Sequence, residues 1–178
     1  MNRLQGVGAR FKTKLKTVTG KEFYGQILQP PDTSRVSNFL SARRYLRTTP
    51  ETPVVFGDVV ITGDRKFIVA DHAEGFYVDH IYTHFKMFEV DDELLYYPYQ
   101  DTFDAVTGVK YRQVSPNGTK VYVSTQPKAS ISDALHIPTY TKVAICNADI
   151  PVDSKLGGYQ VTRNDKMLGI YVLEMKKL

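Results

Sequence analysis

Three histidines and two aspartates crowd into one short stretch: Asp71, His72, Asp79, His80 and His84. Zinc and iron accept imidazole and carboxylate ligands readily. A shared ion requires those side chains to converge. On a strand His80 and His84 would share a face but stand about 13 Å apart, at roughly 3.3 Å per residue. A helix would bring them together, yet HIYTHFKMFEV is dominated by strand formers. The expectation is surface or edge histidines and no metal. A nucleophile needs a serine or cysteine beside a positioned base. The chain has no Gly-x-Ser-x-Gly elbow, and its single Cys146 sits in Val-Ala-Ile-Cys-Asn, which reads as a small buried apolar side chain. Neither a phosphate-binding glycine loop nor a dinucleotide fingerprint is present. The acidic run Asp91-Asp92-Glu93 adjoins a turn and reads as solvating charge. These residues point away from an enzyme and require no cofactor; a metal-dependent hydrolase on a β scaffold is the enzymatic alternative.

The basic residues form two groups. Lys12, Lys14 and Lys16 alternate with Phe11, Thr13, Leu15 and Thr17, the period of a half-buried strand with one cationic face. Arg43, Arg44 and Arg47 close the segment SRVSNFLSARRYLR. Both groups are candidates to face DNA or an acidic partner. The alternatives are a solvated strand face protected by lysines and a solvated helix end. The whole chain carries +4, but residues 1–50 carry +8 and residues 51–178 carry −4. A basic front on an acidic body suits an anionic partner, or head-to-tail packing between copies.

The elements positioning these groups are mostly strands. Residues 9–28 read as two strands around Thr19-Gly20-Lys21, and residues 54–61 and 66–70 flank Thr62-Gly63-Asp64-Arg65. Phe76 to Val90 reads as a strand or strand pair, with Leu94 to Tyr97 and Lys142 to Cys146 as further strands. Pro116-Asn117-Gly118 between Val109–Val114 and Thr119–Ser124 signals a hairpin. A closing hairpin is expected around Asn164-Asp165-Lys166. Two short helices are expected, one over 34–47 with the arginines at its C-terminal end and one turn over 130–137. The 178 residues thus read as a single mainly β domain, a small barrel or sandwich with hairpin extensions, carrying a basic arm or helix insertion at about 29–53. No run approaches the roughly 20 apolar residues of a membrane helix, and one cysteine fits a reducing cytosol. The aromatic run from Phe76 through Phe85, Phe88, Tyr96, Tyr97 and Tyr99 exceeds one core stripe, so part of it is expected at an interface.

Gly57-Asp58-Val59-Val60, a tight turn and Phe67-Ile68-Val69, with a final strand Ile170-Tyr171-Val172-Leu173-Glu174, resemble the small β-barrels of tailed-bacteriophage head-to-tail connectors, the head-closure and related neck or tail proteins. That resemblance implies a structural virion protein forming an oligomeric ring. Its implied partners are copies of itself, portal, adaptor or tail proteins, and non-specific contact with DNA in the channel; no membrane is involved. It implies residence in the virion, and in the host cytoplasm during assembly. The opening FKTKLKTVTGKEFYGQIL is similar to the first strands of small SH3-like or OB-like nucleic-acid-binding modules, the alternative reading.

Overall fold

The computed structural model describes residues 13–29, 44–71, 82–125 and 141–178. Those residues form fourteen strands: β1 (Thr13–Thr17), β2 (Glu22–Leu28), β3 (Arg44–Thr48), β4 (Val59–Thr62), β5 (Arg65–Ala70), β6 (Thr83–Glu89), β7 (Asp92–Tyr96), β8 (Tyr99–Phe103), β9 (Lys110–Val114), β10 (Thr119–Thr125), β11 (Thr141–Cys146), β12 (Lys155–Leu156), β13 (Tyr159–Met167) and β14 (Ile170–Lys177). The mainly β expectation holds, but the strands close into two barrels. One runs β1-β2-β3-β6-β5-β4 and back to β1; the other runs β7-β10-β11-β14-β13-β12 and back to β7. The order is the same in both: three strands taken in sequence, then three in reverse. In the second barrel the β8–β9 hairpin interrupts the chain after the first strand. Closure pairs every barrel strand on both sides and leaves no open edge in either wall.

Alternation builds three apolar layers. Leu15, Phe23, Leu46, Val60, Phe67, Val69, Phe85 and Met87 fill the first barrel. Val121, Val123, Ala144, Cys146, Leu156, Val161, Leu173 and Met175 fill the second. Between the barrels, Val59, Ile68, Ala70 and Phe88 of the first pack on Val143, Ile145, Ile170 and Val172 of the second. Strands at this junction are buried on both faces. That is why Phe67-Ile68-Val69-Ala70 and Val143-Ala144-Ile145-Cys146 read as unbroken apolar runs.

Several local expectations change. No helix occurs among the described residues. The expected helix over 34–47 is overturned at its C-terminal end: Arg44–Thr48 is strand, hydrogen-bonded to β2 on one side and β6 on the other. Leu46 and Thr48 alternate inward there, so barrel closure outweighs local helix propensity. The rest of that segment, including Arg43, lies outside the described residues, as do Lys12 and the expected turn over 130–137. The Asn117-Gly118 hairpin does not form, because β9 pairs with β8 while β10 pairs with β7 and β11. Ser115 instead uses its hydroxyl to accept from the Asn117 amide, and Gly118 fits where a β-carbon would lie 2.8 Å from the Tyr97 ring. The closing turn falls at Leu168-Gly169, three or four residues beyond its expected place, so Asn164, Asp165 and Lys166 lie in strand opposite Leu173, Val172 and Tyr171.

Candidate functional site

Two surfaces collect the groups able to engage a partner. The first is the outer wall of the first barrel over β1, β2, β3 and β6. Leu15 and Thr17 of β1 point inward, so Lys14 and Lys16 point out, as the alternation requires. Lys14 lies opposite Tyr24, and its ammonium pairs with Glu22 at 2.6 Å. That contact draws the Glu22 carboxyl below its usual range and holds the lysine above its own. Arg47 shares this wall, across β2 from the lysines, with Gln26 and His84 as its cross-strand neighbours. Its guanidinium carbon lies 3.7 Å from the centre of the Tyr82 ring, a cation–π arrangement. Arg44 has the opposite parity on β3, at the strand end, and donates to Gln29 Oε1 at 3.1 Å. The helical reading grouped Arg44 with Arg47; the strand sends them to opposite sides.

Lys86 completes that wall and escaped the sequence reading. It lies opposite Tyr45 and is buried, and burial holds its ammonium below the ordinary lysine range. Burial likewise pushes the Tyr45 phenol up. The alternation in Phe85-Lys86-Met87 places Lys86 outside the barrel; no local pattern signals that this outer position is covered.

The second surface is the β8–β9 hairpin. Its five register pairs run from Tyr99↔Val114 to Phe103↔Lys110, and no other described strand joins either edge. The tip is held by Asp104, whose Oδ1 accepts the amides of Val106 and Thr107, each at 2.8 Å. These bonds draw the Asp104 carboxyl below its usual range. Backbone bonds Asp104 N to Val109 O and Gly108 N to Asp104 O close the loop, with Gly108 at φ 66°. The tip nevertheless shows apolar groups to solvent: Phe103 is 65% exposed, Val106 93% and Val109 61%.

The acid-rich stretch at the barrel junction is structural. Glu93 accepts from Lys66 of the first barrel and, at 2.8 Å, from Lys120 of the second. Asp91 Oδ2 accepts the Thr125 amide at 2.6 Å, and Arg65 reaches Glu89. His84 lies on β6, while His72, Asp79 and His80 fall outside the described residues. Among the described residues, no three histidine, cysteine or acidic side chains converge as metal ligands would. Cys146 is fully buried in the second barrel, where desolvation pushes its thiol up to about 11. A thiol so placed is not an activated nucleophile. Compared with family models, curated proteins and solved structures, the chain matches none.

Proposed function

We propose that the chain is a structural subunit of a tailed-bacteriophage virion, which joins copies of itself into a ring in the head-to-tail connector or tail and bridges neighbouring virion proteins around the DNA channel. The observation that supports this most is the β8–β9 hairpin. A two-stranded hairpin alone is marginal in water, and one with two unpaired edges invites another chain. Here the tip is locked by Asp104 while Phe103, Val106 and Val109 point to solvent. A projection whose tip is closed by hydrogen bonds and ends in apolar side chains is suited to a neighbour's surface. The sealed barrels would be the body of each subunit. Lys14, Lys16 and Arg47 would supply the electrostatic, sequence-independent contact that DNA passage tolerates. The protein would act in the virion after assembly in the host cytoplasm.

The test is the size of the purified chain, alone and with its assembly, by light scattering. The double substitution Phe103→Asp and Val106→Asp should leave the circular dichroism and melting temperature unchanged, because neither side chain is buried, and should abolish assembly. Incorporation at the wild-type level would remove the hairpin as the contact.

A second reading, a small SH3-like or OB-like nucleic-acid-binding module, draws on Tyr24, which is 54% exposed directly across from Lys14. An aromatic face beside a cation is the pairing that stacks bases and holds phosphates. Retardation of single-stranded DNA by the monomer, lost in Tyr24→Ala, would favour it.

A further inference from the structure

The β8–β9 hairpin has two open edges, and its register says which residues line them. Asp104 donates its amide to the Val109 carbonyl, and Ser115 donates to the Pro98 carbonyl. Facing residues of an antiparallel pair alternate between bonded and unbonded. Counting inward from those two bonds, Thr102 with Tyr111 and Gln100 with Gln113 are bonded pairs. The backbone groups of Tyr99, Asp101 and Phe103 therefore turn to the open edge of β8, and those of Lys110, Arg112 and Val114 to the open edge of β9. No other described strand joins either edge, and every residue of β9 is exposed. Neither strand contains a proline, and their register runs without a bulge, so two common devices that blunt an edge are missing. The charges on the hairpin are largely occupied within it. Lys110 pairs with Asp101 at 2.8 Å, and the Arg112 guanidinium carbon lies 5.7 Å from the centre of the Tyr99 ring.

The two edges differ in sign. The outward row of β8 carries one acid, Asp101, and that of β9 carries two cations, Lys110 and Arg112. A two-fold contact would set like rows against each other; a head-to-tail contact sets cations against the acid. We propose that copies of this chain join head to tail by strand addition, β9 of one copy pairing antiparallel with β8 of the next. In a level register Arg112 faces the neighbour's Asp101, Val114 its Tyr99 and Lys110 its Phe103. Main-chain hydrogen bonds supply the affinity and the Arg112–Asp101 pair sets the register. Because β8 runs toward the tip and β9 away from it, every hairpin in such a sheet points the same way. The inference rests on the assembly reading above, and it names the partner and the bonds of that contact.

The experiment follows self-association of the full chain by light scattering and sedimentation over a concentration series, with melting temperature as the check on folding. The wild type should associate. Val114→Pro removes one outward N–H from an edge position that tolerates proline, and it should stay monomeric. Val114→Ala keeps that N–H and should associate as the wild type does. Asp101→Arg leaves β9 intact, and Arg112→Asp leaves β8 intact. Each alone should weaken association by about tenfold, since a like pair replaces an opposite pair directly across two strands. An equimolar mixture of the two should recover association, because every junction between unlike copies regains opposite charges. A monomeric wild type would overturn the proposal. So would a Val114→Pro protein that associates like Val114→Ala, or a mixture no better than its components. Single variants that associate like the wild type would also overturn it, Asp101→Arg by pointing to a β9–β9 contact and Arg112→Asp to a β8–β8 contact. If Val114→Pro associates while the Phe103→Asp, Val106→Asp double variant does not, the tip remains the contact and strand addition is wrong. Retention of a monomeric wild type in its assembly would point instead to a different protein on the hairpin.

Discussion

Gly169, in the turn between β13 and β14, lies against Phe56 of the first barrel: a β-carbon added there would meet the Phe56 Cβ and ring at 2.6–2.7 Å. The glycine also holds φ at 74°, in the left-handed region. The two barrels therefore touch where only glycine fits. Gly169→Ala should cost about 3 kcal/mol, from left-handed strain together with overpacking. Gly63→Ala, at φ 61° with no atom within 4 Å of the added carbon, should cost about 1 kcal/mol. Urea unfolding of the two variants separates the contact from the backbone conformation.

The junction should make the barrels unfold together. Phe88 is completely buried yet lies outside its own barrel's interior; it packs between the barrels with Ile145 and Val172. Phe88→Ala should lose about 3–5 kcal/mol. Wild-type melts followed by far-ultraviolet circular dichroism and by tyrosine fluorescence should coincide. Two separated wild-type transitions would show that the shared cluster does not couple the barrels.

Glu93 should give the junction an acid-sensitive component. Hydrogen bonds from Lys120 and then Lys66 hold its carboxyl below the usual range. A depressed carboxylate contributes stability above its unfolded value near 4.5, and that contribution disappears as pH falls through the lower folded value. Glu93→Gln should thus lower the melting temperature slightly at pH 7, by an equivalent of about 0.5–1 kcal/mol for a partly exposed pair. The gap should narrow below pH 4.5 and shrink in high salt. A gap that widens in acid would contradict the assignment.

Cys146 should be silent to thiol reagents in the folded chain. With its thiol at about 11, only about one molecule in a thousand is thiolate at pH 8, and the side chain is fully buried. An aromatic disulfide reagent should react at the rate of unfolding, and immediately in concentrated guanidinium. Fast reaction of the native chain would place Cys146 nearer the surface.

Alternation and turn chemistry settled much of this protein locally. Lys14 and Lys16 face out because Leu15 and Thr17 face in, and Gly63-Asp64 joins β4 to β5 because two strand-forming runs flank a residue able to take positive φ. The mainly β class follows from the same period of two. Tertiary structure decided the rest, because pairing partners and outer-face burial are not local properties. Arg44 and Arg47 follow a helix-compatible sequence, yet two neighbouring strands recruit them into β3 and turn them to opposite sides. The Asn117-Gly118 turn chemistry was present, but β10 gained two barrel partners where the hairpin offered one. The closing turn moved to Leu168-Gly169 because Gly169 alone admits the Phe56 ring. Lys86 reads as one lysine alternating with apolar residues. Only closure of the barrels, and the packing laid over their walls, makes it a buried residue, since burial depends on what covers a position and not on the residues beside it.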